Sequence, residues 1–146
     1  MIKIYFAGAI SAGRELQPTY QAIVDFIHER GGDVLSAHVA KAEVLTGESK
    51  LTDSQIFSRN IKFINDCDGV VAEVTKPSLG VGFEIAEALH CNKPVICFCQ
   101  KGIFLTRMLT GNPAENLSIH FYEQQQWQRP LEDFLQSLRN KIMRSS

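Results

Sequence analysis

Short apolar runs alternate along this chain with segments of helical periodicity, and that alternation limits the folds open to it more than any other feature. The runs that predict strands are residues 2–7, 33–36, 69–74, 93–99 and 117–122. Helical spacing predicts helices over 16–27, 52–67, 104–109, from 130 onward, and from the loop after the third strand to about 91. Parallel strands need a crossover, usually a helix. We therefore expect one α/β domain across residues 1–146, a doubly wound, flavodoxin-like or Rossmann-like five-stranded parallel sheet with helices on both faces.

The composition suits one such domain and excludes several classes of protein. The chain has 146 residues, of which 45% are hydrophobic, enough for a single core. Fifteen basic against sixteen acidic residues give a net charge of −1, which disfavours duplex nucleic acid and anionic membranes as partners. No apolar run reaches the roughly 18 residues that cross a bilayer. The cysteines form no C-x-x-C pair, the histidines lack metal-ligand spacing, and the N-terminus runs straight into a strand, so we expect a cytoplasmic protein without a metal.

The loop after the first strand lies where such sheets bind ligands, beyond the carboxyl ends of the strands. Residues 8–13 read Gly-Ala-Ile-Ser-Ala-Gly and are followed by Arg14. They match neither a Walker phosphate loop nor the dinucleotide-binding glycine pattern. On spacing, a tight strand-to-helix connection and a ligand-binding loop explain them equally well. Arg14 favours the second, since a cation beside exposed backbone N–H groups suits a phosphate or a sugar hydroxyl.

The loop after the third strand, residues 75–82, is rich in Pro and Gly and leads into a helix with Glu84 in its first turn. A helix N-terminus favours the ionised form of a carboxylate. Such a carboxylate can attack an anomeric carbon and form a glycosyl-enzyme ester. An acidic residue in a first turn is also ordinary helix capping, and spacing alone does not decide between the two.

Four segments read together resemble a known family. They are Ile-Tyr-Phe-Ala-Gly-Ala-Ile at 4–10, Ala-His-Val-Ala at 37–40, Val-Ala-Glu-Val-Thr at 71–75 and Pro-Ser-Leu-Gly-Val-Gly-Phe-Glu at 77–84. They resemble the 2′-deoxynucleoside 5′-monophosphate N-glycosidases of the Rcl type, a group that includes the enzyme hydrolysing 5-hydroxymethyl-dUMP. This group belongs to the nucleoside 2-deoxyribosyltransferase superfamily, and the resemblance extends over about residues 2–122.

The resemblance implies roles for particular residues of this chain. Glu84 would be the nucleophile, with Tyr5 near the sugar and that carboxylate, and His38 near the base. Thr106 would reach the phosphate in the partner subunit's site, which implies a homodimer with shared active sites. The predicted substrate-binding residues are Gly8, Ile10, Ser11, Ala12, Arg14, His38, Ser78, Gly80, Thr106 and Met108.

The chain departs from the family at Asn60, on the helix before the third strand, where the family usually has an aspartate. We keep Asn60 with Tyr5 and Glu84 in the predicted catalytic set because its position matches. An amide binds hydroxyls and carboxylates but cannot donate a proton as an acid. Helical periodicity puts Asp53 on the same core-side face as Asn60, and Asp53 and Glu73 are the carboxylates that could compensate.

These residues predict hydrolysis of the N-glycosidic bond of 2′-deoxynucleoside 5′-monophosphates, giving free base and 2-deoxyribose 5-phosphate through an ester on Glu84. No metal or organic cofactor is expected, and the predicted partners are the small-molecule substrate and a second copy of the chain. Two alternatives stay open. One is a nucleoside 2-deoxyribosyltransferase, in which a second base replaces water. The other is a catalytically impaired deoxynucleotide-binding module, suggested by Asn60 and by Ala9 and Ser11, which stand where the family has serine and arginine.

Overall fold

A computed structural model of the chain describes residues 1–10, 15–41 and 47–145. The strands are β1 (Lys3–Gly8), β2 (Asp33–Val34), β3 (Gly69–Glu73), β4 (Val95–Gln100) and β5 (Leu117–Tyr122). The helices are α1 (Gln17–Glu29), α2 (Asp53–Asp66), α3 (Leu79–His90), α4 (Arg107–Thr110) and α5 (Gln128–Ser145), with a 3₁₀ turn at Ala37–Ala40. All strand pairs are parallel, in the order β2-β1-β3-β4-β5. The predicted five-stranded α/β fold is confirmed.

Two hydrophobic clusters cover the two faces of the sheet. On one face, Phe6 packs in a cluster with residues of α1 and α5. On the other, Tyr5 belongs to a cluster with Ile64 of α2 and Ile85 of α3. Successive strand residues point to opposite faces, so neighbours in β1 serve different layers. Tyr5 is thereby directed at the two helices that precede and follow β3.

The strand order reverses between β1 and β3. The chain goes from β1 outward to β2 and later returns on the other side of β1, so the loops after β1 and β3 begin side by side. The last residues of β1 and β3, Gly8 and Glu73, are paired directly across the two strands. Ligands of doubly wound sheets bind in the crevice at this point. The two loops singled out in the sequence therefore start from the same edge of the sheet.

Helix α3 starts earlier than predicted. Ser78 caps it by accepting a hydrogen bond from the Val81 N–H at 3.2 Å, so Gly80 and Gly82 lie in the helix and not in a loop. The capping bond and the burial of Val81 and Ile85 offset the low helix propensity of the glycines. Glu84 is consequently the sixth residue of α3, in its second turn, and the predicted first-turn position was wrong.

The other bounds differ by a few residues. β2 ends at Val34, α4 begins at Arg107, and α5 begins at Gln128, two residues before the proline that the first turn of a helix tolerates. The predicted core face of α2 was wrong at its start, where Asp53 is exposed and Phe57 contacts Phe83 near the surface with 6.1 Å between ring centroids. Within the described ranges, no helix is long and apolar enough to cross a membrane.

A buried carboxyl group holds the turn that leads from β3 into α3. Glu73 has no exposed surface and accepts hydrogen bonds from the Thr75 N–H (2.8 Å), the Thr75 hydroxyl (2.7 Å) and the Tyr122 hydroxyl. The Thr75 Oγ1 also accepts from the Gln100 N–H at 3.0 Å. Burial raises the pKa of Glu73, and these donors lower it by a smaller amount. The carboxyl group thus joins the ends of β3, β4 and β5.

We expect Glu73→Gln to lower the free energy of unfolding by about 1–3 kcal/mol, because one acceptor oxygen becomes an NH₂ facing buried donors. Urea unfolding measures this, with the exposed Glu115→Gln as the matched control. Because the folded-state pKa of Glu73 is raised, its stabilising contribution is full below the unfolded value of 4.5 and declines as pH rises. The loss in free energy of unfolding of Glu73→Gln, relative to wild type, should therefore become smaller as the pH rises. A deficit equal to that of the control would contradict this role.

Candidate active site

The Glu84 carboxylate is the centre of a cluster built from three elements. Its Oε2 accepts a hydrogen bond from the Tyr5 hydroxyl of β1 and another from Asn60 Nδ2 of α2 at 3.1 Å. The three residues are 79 and 24 positions apart in sequence, counted from Glu84 to Tyr5 and to Asn60. The structure therefore brings together all three residues of the predicted catalytic set.

The local sequence explains why these side chains meet. Tyr5 is 1% exposed, and its ring centroid lies 6.5 Å from that of Phe63. Asn60 comes four residues before the buried Ile64, so both lie on the face of α2 that is turned to the sheet. Glu84 precedes Ile85, which anchors α3 on the same layer. Alternation in the strand and periodicity in the two helices direct the polar groups to one point.

Burial and hydrogen bonding act in opposite directions on the Glu84 carboxyl. Burial raises its pKa above the ordinary 4.5, while the bonds from Tyr5 and Asn60 and the charge of Arg59 lower it. The pKa of Tyr5 is raised, first by burial and then by Glu84, so the phenol stays protonated and donates. The effect of the helix dipole fades beyond the first turn. Burial is the largest effect, so the pKa of Glu84 is raised overall, and these three side chains, not the helix N-terminus, oppose that rise.

A second group of charged residues adjoins Asn60. Arg59 donates through Nε to Asn60 Oδ1 at 3.0 Å and through Nη2 to Glu48 Oε1 at 3.0 Å. His38 Nε2 lies 3.4 Å from the same Glu48 oxygen, but makes no hydrogen bond with the described residues. Burial and the nearby Arg59 lower the pKa of His38, so its imidazole is neutral near pH 7. A series of contacts through Asn60, Arg59 and Glu48 thus connects Glu84 with His38, which is predicted to lie near the base.

Sequence reasoning missed Arg59 and Glu48. Arg59 was visible only as the neighbour of Asn60, and Glu48 falls in the stretch 37–50 to which no ordered element was assigned. Residues 59 and 60 differ by about 100° around a helix, so periodicity gives no reason to group them. The contact of the Arg59 guanidinium with Asn60 depends on the packing of the folded chain, which the sequence pattern does not reveal.

The start of α3 forms an open surface beside Glu84. Ser78 is half-buried, and a Cβ at Gly80 would meet only Ser78 Oγ, at 3.8 Å. A Cβ at Gly82 would have no neighbour within 4 Å. The first N–H groups of a helix lack partners within it. Among the described residues, no side chain covers the surface at Gly80, next to the predicted phosphate-side residue Ser78.

Gly8 has a structural reason to be glycine. A Cβ there would lie 2.8 Å from a ring carbon of Tyr20, whose hydroxyl accepts from the Ala9 N–H at 3.1 Å. Ile10 is partly buried against the α1 face of the core. The contacts predicted for Ser11, Ala12 and Arg14 lie outside the described residues.

The predicted residues Thr106 and Met108, which follow β4, make no hydrogen bond with Glu84 in the part of the chain that the structure describes. Thr106 is the N-cap of α4, its hydroxyl accepts from the Met108 N–H at 3.3 Å, and Met108 is 81% exposed. The two carboxylates that could compensate for Asn60 make no described contact with it, since Glu73 is bound on the opposite face of the sheet and Asp53 is exposed.

In the described part of the chain, no three His, Cys, Asp or Glu side chains are grouped as a metal site requires.

The chain is similar to proteins of one known family over most of its length. Residues 4–120 match the family described as nucleoside 2-deoxyribosyltransferase, and the chain belongs to that family. The 5-hydroxymethyl-dUMP N-hydrolase of Danio rerio is 35% identical over 141 residues, 94% of this chain and 98% of the relative. A Methanococcoides burtonii protein, provisionally named 2′-deoxynucleoside 5′-phosphate N-hydrolase 1, is 39% identical over 121 residues, 83% of this chain and 99% of the relative. The predicted resemblance is confirmed.

A solved structure shares the fold at lower identity. The CMP N-glycosidase of Clostridium botulinum superposes with a TM-score of 0.65 at 18% identity, over 89% of this chain and 98% of that chain. At this identity the likeness concerns the fold alone.

We expect Tyr5→Phe to raise the pKa of Glu84, because the variant loses a hydrogen bond that favours the carboxylate over the acid. The ¹³C carboxyl signal of Glu84, identified by its absence from Glu84→Gln, measures this by titration. Tyr20→Phe is the matched control, since its ring packs on the other face of the sheet. A Glu84 pKa that is unchanged or lower in Tyr5→Phe would refute the assigned contact.

Proposed function

We propose that this chain hydrolyses the N-glycosidic bond of 2′-deoxynucleoside 5′-monophosphates, releasing the free base and 2-deoxyribose 5-phosphate. The observation that carries the proposal is the Glu84 carboxylate, held by Tyr5 and Asn60 at the edge of the sheet where β1 and β3 end. The names of the N-hydrolase relatives support the same substrate class. We also propose a cytoplasmic location, where reducing conditions keep the four thiols free.

The proposed reaction has two displacements at C1′. In the first, a Glu84 oxygen attacks C1′, the bond from C1′ to the base nitrogen breaks, and its electron pair leaves with the base. Both described donors bind Oε2, which leaves Oε1 as the attacking atom. In the second, water attacks C1′, the bond from C1′ to Glu84 breaks, and the water proton passes to solvent. The carboxylate is restored, as in retaining glycosidases.

Asn60 and Tyr5 serve this chemistry as hydrogen-bond donors and not as acids. An amide is far too weak an acid to transfer a proton, and the raised pKa of Tyr5 makes its phenol a poor acid. Asn60 uses one amide hydrogen on Glu84, so the second is available to the sugar or the base. The departing base therefore takes its proton from solvent.

The open start of α3 suits the 5′-phosphate. A helix N-terminus offers partial positive charge and unpaired N–H groups to an anion. Here Ser78 caps the helix, and the glycine at position 80 leaves that surface uncovered. Glu84 lies one turn further along the same helix, so the phosphate and C1′ of one nucleotide can be held together.

We expect Glu84→Gln to reduce base release from 5-hydroxymethyl-dUMP and other deoxynucleotides by more than about 10³-fold while the fold is kept, since the amide lacks a nucleophilic oxygen anion. Chromatography of released base measures this, and Glu87→Gln on the same helix is the matched control. Base release by Glu84→Gln at the rate of the control would rule out the mechanism. Transfer of the sugar to an added base at the expense of hydrolysis would indicate a 2-deoxyribosyltransferase instead.

We further propose a homodimer in which each active site takes residues from both subunits. Large apolar side chains are exposed on α2, on α3 and in the segment after β4, and exposed apolar surface of this kind suits a protein interface. Thr106 lies between Phe104 and Met108 in the sequence, and its described contact is with Met108. The exposed residues are Phe57, Leu79, Phe83, Ile103, Phe104 and Met108.

Mixing two inactive variants tests the shared site. Thr106→Glu would place a negative charge against the partner's substrate phosphate, and Glu84→Gln lacks the nucleophile. A mixed dimer holds one site with both natural residues, so an equal mixture should recover about one quarter of the wild-type activity if subunits exchange at random. Light scattering confirms the dimer and its exchange. Exchange of subunits without recovered activity would show that the sites are not shared.

A further inference from the structure

The Asn60 amide faces Glu84 in one defined orientation. An asparagine amide has an oxygen end and a nitrogen end of nearly the same shape, and only its partners distinguish them. Here Arg59 Nε lies 3.0 Å from the oxygen, and the nitrogen lies 3.1 Å from Glu84 Oε2. A guanidinium N–H can only donate and a carboxylate can only accept. The two contacts therefore require the same orientation of the amide.

Arg59 is itself held in place. Its Nη2 binds Glu48 at 3.0 Å, and the Arg59 and Glu48 side chains are 25% and 15% exposed. The rigid guanidinium fork lets Arg59 bind Glu48 and Asn60 at once through different nitrogens. A lysine has one nitrogen on a flexible stem and matches this two-point geometry poorly.

We propose that Arg59 is a positioning residue for Glu84, acting through Asn60, whose amide oxygen it binds so that the amide nitrogen is held against the carboxylate. The proposal rests on the proposed function in taking Glu84 as the nucleophile. The arrangement gives Glu84 a directed hydrogen bond from a neutral group. An aspartate at position 60 would instead place a second carboxylate where the amide nitrogen now lies, 3.1 Å from Oε2.

Arg59 also contributes its charge. Among the residues that the structure describes, the groups that act on the Glu84 carboxyl are Tyr5 from β1, Asn60 and Arg59 from α2, and Glu48 from the segment before α2. The positive charge of Arg59 lowers the pKa of Glu84, and the negative charge of Glu48 raises it. Removing Arg59 should therefore move the protonation of Glu84 to higher pH. The effect of the charge can be separated from the effect of binding at two points. Arg59→Lys keeps the positive charge but cannot bind Asn60 and Glu48 in the way that the guanidinium does.

The experiment compares Arg59→Met, Arg59→Lys and the control Lys62→Met. Lys62 lies on the same helix and pairs with Asp66, with its side chain 73% exposed, so its variant removes an equal charge away from Glu84. For Arg59→Met we expect the acid limb of the kcat/KM profile to move to higher pH and kcat on the plateau to fall by up to about 100-fold. For Arg59→Lys we expect the acid limb to stay and kcat to fall. The control should behave as wild type.

Titration of the Glu84 ¹³C carboxyl signal repeats the test without turnover. A shift to higher pH in Arg59→Met, but not in Lys62→Met, supports the proposal even if no substrate is turned over, an outcome that would count against the proposed function alone. A Glu84 titration in Arg59→Met equal to that of wild type would overturn the proposal. So would a full kcat in Arg59→Lys, because the two-point contact would then be unnecessary.

Discussion

The site depends on the hydrogen bonds that converge on Oε2 of Glu84. A carboxylate removed from water is costly unless donors replace the lost solvation, and here a phenol and an amide replace part of it. Each donor belongs to a different element, so their meeting requires β1, α2 and α3 to be packed as they are. Tyr5 reaches Glu84 because strand residues alternate between faces, and Asn60 because it lies one turn before a buried isoleucine. The architecture of the sheet and the chemistry of the site follow from the same constraint.

Much of this could be predicted from sequence because it depends on local patterns. The alternation of strand and helix predicted the parallel sheet, and the resemblance named Tyr5, Asn60 and Glu84, which the structure brings into contact. The start of α3 could not be predicted, since two glycines indicate a loop unless the capping bond of Ser78 and the packing of Ile85 are known. Gly8 suggested a ligand, whereas its close neighbour in the fold is the Tyr20 ring. Arg59 and Glu48 depend on contacts that no periodicity encodes.

The structure changes the interpretation of Asn60. In the sequence it is a lost carboxylate, which suggested either impaired catalysis or compensation by Asp53 or Glu73. In the structure it is a donor to Glu84 backed by Arg59, with Glu73 committed to Thr75 and Tyr122 on the other face of the sheet. Together, Arg59 and Asn60 provide a positive charge and a hydrogen bond where an aspartate would provide a negative charge. In the described structure, Arg59 and the two donors oppose the rise in the Glu84 pKa that burial causes.

The configuration of the sugar product tests the central claim, a covalent intermediate on Glu84, most directly. Base release in buffer containing methanol traps part of the sugar as a methyl glycoside, and proton NMR distinguishes its two anomers. Two successive displacements keep the β configuration of the nucleotide, whereas direct attack by solvent inverts it. We predict the methyl β-glycoside of 2-deoxyribose 5-phosphate as the trapped product. The α-glycoside as the main trapped product would contradict an ester on Glu84.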